Sequence, residues 1–372
     1  MDIGGKIRVG VIGAGWWATT NHLPILAKDP RVEISGICGI GLDHLKKVQK
    51  EFNVERVTED YLELLSYDLD ALVVASPHHL HHVHAAAGLD HGLAVLCEKP
   101  MTLSASDAWD LVNRGNENGA ALLVAYGWNY KRFVREAASL MRSGSVGNIE
   151  FVTVRMASPT KSFFSSADVT VPSNFNGEIT GPDPMTWQDP SHGGGYIHGQ
   201  LTHATGLLFW LTGLRARRVT GRSSGPGANV DLYDGALVDF TNGAHGVVSG
   251  AATLPDDNKF QLSIEVYGSE GVLLLDVERE RAEVRRHDGR DARIDVETGE
   301  GDYECVVPVE RFIDIAGDRS ALNESPGWVA ARSVEFLEAL RASAMSELGS
   351  SAIVDVTLGA NANEQIGSGF GR

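Results

Sequence analysis

Two histidines lie close together in the stretch GGGYIHGQLTH, which covers residues 193–203. His198 and His203 follow three glycines, and Gln200 lies between them. Imidazole titrates near neutral pH and also binds metals, so either histidine is suited to acid/base chemistry or to a metal site. An ordinary turn before a buried helix would have a similar sequence. The surrounding sequence has to separate these interpretations.

A second stretch, SPHHLHHVH (76–84), holds five histidines in seven residues. If a helix begins near His78, then His78 and His82 share one face, and His81 and His84 share another. No cysteine or paired carboxylate nearby completes a zinc-type ligand set. We therefore predict no metal site here and keep a solvated first helical turn as the simpler interpretation.

The elements that would position these histidines begin with a regular alternation in the first third of the chain. Apolar, strand-like runs occur at 6–12, 32–38, 70–76 and 94–100, with helical segments between them. Such alternation predicts parallel βαβ units. Continuous apolar runs are typical of parallel strands that are buried on both faces.

The sequence Gly13-Ala14-Gly15-Trp16-Trp17-Ala18 directly follows the first of these strands. Gly13 would permit a tight turn, Gly15 would let a pyrophosphate approach the backbone, and Ala18 would allow close helix packing. In this position the motif predicts an NAD or NADP site, although a ligand-free turn would also use glycines.

The residues after the second strand leave the choice between NAD and NADP open. The strand ends at Cys38, and Gly39 follows, without the carboxylate that usually holds a ribose 2′-hydroxyl. No arginine that could bind a 2′-phosphate is present there either.

Length and charge exclude several classes of protein. With 372 residues we expect two domains. A formal net charge of −17 disfavours nucleic acid as a partner. Three cysteines indicate neither a disulfide framework nor a zinc site. No apolar run reaches the roughly 20 residues of a membrane helix, and no signal peptide is visible, so we expect a cytoplasmic protein without a membrane partner.

Taken in order, several stretches resemble the Gfo/Idh/MocA oxidoreductases. The resemblance begins with VGVIGAG and continues through VVASPHHLHHVHAAAGLDHGLAVLCEKPMTLS, VAYGWNYKRF (124–133) and SGSVGNIEFVTV (143–154). Glu98, Lys99 and Pro100 match the family's Glu-Lys-Pro signature. GGGYIHGQLTH falls where the family has a GGG run followed by Asp-x-Gly-x-His.

The resemblance implies an α/β protein with an N-terminal Rossmann domain (1–126) and a C-terminal α/β domain (127–372). The second domain would contain a large open, mostly antiparallel sheet and form a homodimer or homotetramer through it. Strand-like runs after residue 148 agree with this expectation. They are IEFVTVRMA, ARRVTGRSS, GALVDFTNGAHGVVSGAA, FQLSIEVYG and GVLLLDVERERAEVRRH, and a helix is predicted over 329–344.

The resemblance also assigns residues to a site. The predicted cofactor-binding residues are Gly13, Ala14, Gly15, Trp16, Trp17, Gly39, Ser76, Pro77, His78, His81, Glu98, Lys99 and Asn129. The predicted substrate-binding residues are Lys99, Trp128, Arg155, Trp187, His198, Gln200 and His203. Trp187 belongs to a long loop-like region, about 157–192, which by its length is expected to be functional or disordered.

Lys99 and His203 match the family residues that handle the proton of the reacting hydroxyl. The family's Asp, four residues before His203, is here Gly199. His198 is a candidate for the missing polar group, and we count it as a third catalytic candidate.

These assignments predict an NAD(P)-dependent oxidoreductase acting on a secondary hydroxyl of a sugar, glycoside or cyclitol. Tyr196 before the His198-Gly199 pair also resembles the pattern of redox-neutral, NAD-dependent glycosidases. A dinucleotide-binding sensor without enzymatic activity is the third alternative, because the Asp is missing.

Overall fold

The first sheet is parallel throughout, with strand order β3-β2-β1-β4-β5-β6. The computed structural model describes residues 5–166, 169, 171, 179–255, 259–345 and 354–355. This strand order is that of a doubly wound dinucleotide-binding sheet. The strands are β1 Ile7–Ile12, β2 Val32–Cys38, β3 Val57–Thr58, β4 Ala71–Val74, β5 Ala94–Cys97 and β6 Leu122–Val124.

Helices cover both faces of this sheet because its strands carry apolar side chains on both sides. A π-helical turn, Ala18–His22, leads into α1 (Leu23–Lys28). α2 (Leu42–Phe52) buries Leu45 and Val48 on the same face as α1. The other face is covered by α3 Tyr61–Leu65, α4 His81–Asp90 and α5 Ala105–Glu117.

The second sheet has nine strands in the order β14-β13-β12-β11-β7-β10-β9-β8-β15. All its pairs are antiparallel except β7 with β10. The strands are β7 Ile149–Ala157, β8 Ala216–Ser224, β9 Tyr233–Phe240, β10 His245–Ala251, β11 Gln261–Gly268, β12 Gly271–Asp276, β13 Arg281–Arg286, β14 Ala292–Ile294 and β15 Val354–Asp355. A parallel first sheet and a mostly antiparallel second sheet confirm the predicted fold class.

One face of the second sheet packs on helices, and the other faces outward. Along β7, Val152, Val154 and Met156 are buried on the helical side, and the residues between them lie on the outer side. The inner helices are α6 Arg132–Arg142, α9 Thr202–Thr212 and α11 Gly327–Ala344. Two short helices, α7 Lys161–Ser165 and α8 Pro184–Gln188, lie in the predicted long loop.

The chain returns to the first sheet after the second one is complete. α10 (Val306–Gly317) places Val309, Phe312 and Ile313 in the apolar core beneath β1 and β5. α11, predicted over 329–344, packs on both α5 and β8. Two helices of the predicted second domain thus pack against elements of the predicted first domain. The predicted domain boundary between residues 126 and 127 stays a prediction.

Within the described ranges, no helix combines the length and the apolar character that crossing a bilayer requires.

Candidate active site

A cavity of about 450 Å³ opens where the carboxyl ends of the first sheet meet the second half of the chain. Loops after β1, β2, β4 and β5 contribute Gly13, Gly39, Ser76 and Glu98 to its wall. In open parallel sheets this edge, at the point where the strand order reverses, is where ligands bind. The opposite wall is built by α8, α9 and residues near Tyr303.

The turn after β1 has the geometry expected of a pyrophosphate cradle. Gly13 has a φ of +105°, and a Cβ there would lie 2.3 Å from the carbonyl oxygen of Ala75, so only glycine fits. A Cβ at Gly15 would meet nothing within 4 Å. The backbone at Gly15 therefore faces open space at the start of a helix, where an anion can approach. These residues fit a dinucleotide.

Glu98 joins the first helix to the end of β5. Its Oε1 accepts hydrogen bonds from Trp17 Nε1 at 2.7 Å and His22 Nε2 at 2.8 Å, and its Oε2 accepts from the backbone N–H of Lys99 at 3.0 Å. Burial by itself would raise the pKa of Glu98, but the hydrogen bond and charge of His22, with Lys99, lower it. Glu98 is therefore a buried carboxylate that fixes the position of Lys99.

The side chain of Lys99 points across the cavity to the second half of the chain. Its Nζ donates to the carbonyl oxygen of Gly199 at 2.9 Å and lies 5.6 Å from the ring centre of Trp187. Burial lowers the pKa of Lys99 below its ordinary value, although the charge of Glu98 opposes this effect. A lysine in such surroundings is suited to hold or release a proton at a substrate hydroxyl.

Gly199 replaces the expected carboxylate by a backbone carbonyl. Aromatic rings occupy the space that a side chain would need, since a Cβ there would lie 3.0 Å from Phe164 and 3.1 Å from Trp187. The carbonyl that Lys99 contacts belongs to a π-helical turn, Ile197–Leu201, which directly precedes α9. The Lys99 ammonium group thus keeps an oxygen acceptor at this place, but the acceptor is a carbonyl without a negative charge.

His198, the candidate for the missing polar group, is buried and is not among the side chains that line the cavity. Burial, with the charge of Arg341, lowers its pKa to about 3.

His203 lies in the first turn of α9 and reaches the cavity among aromatic rings. The ring centres of Trp128 and Tyr303 are 5.4 and 5.2 Å from its own. Burial lowers the pKa of His203 well below 6.5, and the charge of Lys99 acts in the same direction. At neutral pH the imidazole is therefore uncharged and can accept a proton. Its Nδ1 and the nearby Gln200 Oε1 have no hydrogen-bond partner among the described residues.

The histidines of the 76–84 stretch separate into different environments. His78, at the start of a 3-10 turn, lies with Nδ1 3.2 Å from the carbonyl oxygen of Gly193. His81 places both ring nitrogens 2.7 Å from carbonyl oxygens, those of Ser76 and Pro100. His82 instead pairs with Asp110 at 2.8 Å, away from the cavity. In the parts of the chain that are described, no three metal-binding side chains converge.

Most of the predicted site residues meet in this one cavity. Its wall includes all of the predicted cofactor residues except Asn129, together with Trp128, Trp187, Gln200 and His203. Asn129 is fully buried and donates through Nδ2 to the carbonyl oxygen of Glu324 at 3.2 Å.

Arg155 also lies outside the cavity. It alternates with the buried Val154 and Met156, so its side chain is on the outer face of the second sheet, where Nη2 donates to Gln261 Oε1 at 3.0 Å.

Sequence reasoning missed a further set of residues in the cavity wall. Apart from His84, which belongs to the histidine-rich stretch, no motif marks them, and several come from the 157–192 loop or from chain far from any glycine motif. They are His44, Glu59, Tyr61, His84, Thr160, Phe163, Asp183, Thr186, Phe260 and Tyr303.

Two family models match the chain. The first, described as the oxidoreductase family with an NAD-binding Rossmann fold, matches residues 7–126, and the second, the GFO/IDH/MocA C-terminal domain, matches residues 134–274.

Among curated relatives, D-xylose 1-dehydrogenase [NADP(+)] of Haloarcula marismortui is 28% identical over 187 residues, which are 47% of this chain and 49% of the relative. The chain thus spans about half the length of that relative. The solved structure of GenD2 from gentamicin A biosynthesis, in complex with NAD, has a TM-score of 0.73 at 23% identity and covers 96% of this chain and 98% of its own. That of levoglucosan dehydrogenase with NADH and levoglucosan has a TM-score of 0.72 at 20% identity and covers 95% of this chain and all of its own (100%). At these identities the two structures show the same fold.

Proposed function

The chain belongs to the Gfo/Idh/MocA family and carries its NAD-binding Rossmann domain, and on this premise we propose that it is an NAD(P)-dependent oxidoreductase. The proposed substrate is a sugar, glycoside or cyclitol with a reactive secondary hydroxyl. One observation carries the proposal: Lys99 and His203 line the same cavity as Gly13 and Gly15 of the dinucleotide-binding motif.

The nicotinamide, when bound, supplies the hydride chemistry. The chain's own groups hold and move the hydroxyl proton. We assign Lys99 Nζ, already held by the carbonyl of Gly199, as the group that orients the substrate hydroxyl. We assign the uncharged His203 as the acceptor for the proton, because it lines the cavity and its Nδ1 has no hydrogen-bond partner among the described residues.

The remaining wall of the substrate end favours a neutral sugar. Trp128, Trp187, Phe163, Phe260 and Tyr303 present aromatic rings, which pack well against the C–H faces of a sugar ring. Gln200 Oε1, buried and without a described partner, can accept from a further hydroxyl. Apart from histidines, Lys99 is the one basic side chain in the described wall, so a phosphorylated substrate lacks a binding group.

The test is a panel of neutral sugars, glycosides and cyclitols with NAD and NADP, followed by absorbance of the reduced nicotinamide. For the substrate found, Lys99→Met and His203→Phe should each lower kcat/KM by about 10²- to 10⁴-fold. Lys28→Met, a change at an exposed lysine, is the matched control and should leave turnover unchanged. Full activity of the Lys99 variant would refute the assignment.

The glycosidase alternative depended on Tyr196 and His198. Tyr196 is fully buried, and its hydroxyl lies 3.3 Å from Ser158 Oγ. Neither Tyr196 nor His198 belongs to the cavity wall. This alternative would be favoured by release of an aglycone with no net change in the cofactor. The sensor alternative would be favoured by tight dinucleotide binding without turnover of any sugar in the panel.

We also propose a homodimer or homotetramer formed through the outer face of the second sheet. Leu237 of β9 and Tyr267 of β11 lie on that face and are 62% and 40% exposed. Sedimentation at micromolar concentration tests this, with Leu237→Glu expected to shift the protein toward monomer. A monomeric wild-type protein would refute it.

A further inference from the structure

An acidic side chain reaches the end of β2 from a neighbouring strand. β2 itself ends without a carboxylate, but it pairs with β3, so that Cys38 lies opposite Thr58. The backbone N–H of Gly39 donates to the carbonyl oxygen of Thr58 at 3.1 Å. Glu59, the next residue, therefore stands beside the loop that follows β2, and its Oε1 accepts from the backbone N–H of Gly41 at 2.7 Å.

Glu59 lines the cavity together with Gly39 and Ile40. In a doubly wound sheet this position, after the second strand, is where the ribose of the adenosine half binds and where an acid normally holds its 2′-hydroxyl. With Oε1 on Gly41, the second oxygen of Glu59 is available for such a hydroxyl.

We propose that Glu59 selects NAD over NADP by binding the adenosine ribose hydroxyls and repelling a 2′-phosphate. This inference rests on the cofactor part of the proposed function, and it does not depend on which sugar is oxidised.

The charged groups around this end of the cavity also favour NAD over NADP. Neither a lysine nor an arginine contributes to the described wall near Gly39. His44, the nearest basic side chain in the wall, has its Nε2 2.6 Å from the carbonyl oxygen of Ala14. Burial raises the pKa of the Cys38 thiol to about 11, and the negative charges of Asp60, Glu63 and Glu59 add to the effect. A 2′-phosphate would therefore lie near negative charges, and the described wall offers no lysine or arginine there to bind it.

A purely structural role for Glu59 is the competing explanation, because its contact with Gly41 lies at the start of α2. Glu59→Gln separates the two roles. The amide oxygen of glutamine can still accept the N–H of Gly41, whereas the negative charge is lost. Glu117→Gln is the matched control, since it removes an equal charge from an exposed residue of α5 that lies outside the cavity wall.

The experiment measures the dissociation constants of NAD and NADP by calorimetry, without any substrate. Two unit charges about 4 Å apart in water alter a binding constant by roughly fivefold, and a 2′-phosphate carries nearly two charges. We expect wild type to bind NAD at least tenfold more tightly than NADP. In Glu59→Gln this ratio should fall by roughly tenfold, and in Glu59→Lys it should fall further. Glu117→Gln should keep the wild-type ratio.

Salt provides a second readout, because the repulsion is electrostatic and exposed to solvent. Raising the ionic strength from about 0.05 to 0.5 M should lower the wild-type ratio and leave that of Glu59→Gln nearly constant. If wild type binds NADP as tightly as NAD, or if Glu59→Gln keeps the wild-type ratio, the inference is wrong while dinucleotide binding stands. If neither dinucleotide binds wild type, the cofactor part of the proposed function fails, and this inference fails with it.

Discussion

Replacing Glu98 by glutamine should destabilise the junction between the first helix and the end of β5. The carboxylate receives three hydrogen bonds there, from Trp17, His22 and the backbone of Lys99. In Glu98→Gln the amide oxygen can keep the two bonds made by Oε1. The amide nitrogen then takes the place of Oε2 and faces the N–H of Lys99, so that two donors meet in a buried site.

The magnitude follows from the number of bonds changed. A buried donor left without an acceptor costs about 1–3 kcal/mol, and the two remaining bonds lose the extra strength that a charged acceptor gives them. We expect Glu98→Gln to lower the free energy of unfolding by about 2–4 kcal/mol at pH 7. Wild type and variant should differ less in acid.

The pH dependence follows from the lowered pKa of Glu98 in the folded protein. A lowered pKa means that the folded protein gives up this proton more readily than the unfolded chain does. The stabilisation is therefore complete above the ordinary value of 4.5 and is lost as the pH falls through the folded pKa.

Urea unfolding followed by circular dichroism at several pH values measures both effects. Glu136→Gln, which alters an exposed helical pair with Arg132, is the control and should leave the midpoint unchanged. If Glu98→Gln unfolded at the wild-type urea midpoint at pH 7, the proposed role of the three hydrogen bonds would be wrong.

Three further changes test other parts of the molecule. Gly199→Asp restores the family's acid but forces Phe164 and Trp187 apart, so we expect about 1–3 kcal/mol of destabilisation and lower turnover, measured by thermal unfolding and nicotinamide absorbance; a gain in turnover would contradict this account. Gly13→Ala should abolish NAD binding in calorimetry, because its Cβ would overlap the backbone of Ala75, whereas Gly235→Ala, where a Cβ meets nothing within 4 Å, should bind normally. Burial, together with the charge of Asp231, raises the pKa of Asp234 well above 3.8, so the folded protein retains this proton and its stability falls as the pH rises above 3.8. Asp234→Asn should therefore have a higher melting temperature than wild type at pH 8. Equal melting temperatures at that pH would count against a buried, protonated carboxyl group at Asp234.

Alternating and helical patterns were sufficient to predict much of the fold. β2, β7 and β8 begin and end at the residues that the sequence indicated. Each has a continuous apolar run or a clear apolar face, bounded by residues that end it. The shortest strands, such as β3, have too few residues to show a pattern and form because a neighbouring strand already offers an edge.

The site shows the same division between local and non-local information. The glycines after β1 and the Glu98-Lys99 pair are recognisable because the chemistry needs them at fixed spacing. Arg155 could have been placed correctly from sequence, since strand alternation puts it opposite Val154. Glu59 and Tyr303 reach the cavity only through the pairing of strands and the packing of distant segments, which spacing along the chain does not reveal.

The two π-helical turns make the cavity sensitive to chain length rather than only to side-chain identity. Ala18–His22 carries His22 to Glu98 on one side, and Ile197–Leu201 carries the Gly199 carbonyl to Lys99 on the other. A π-helical turn closes its hydrogen bond over one residue more than an α-helical turn does. Deleting one residue within Ile197–Leu201 would convert the wide turn into a regular one and move the Gly199 carbonyl away from Lys99. Lys99 would then lose its acceptor although no side chain in the cavity wall had been substituted.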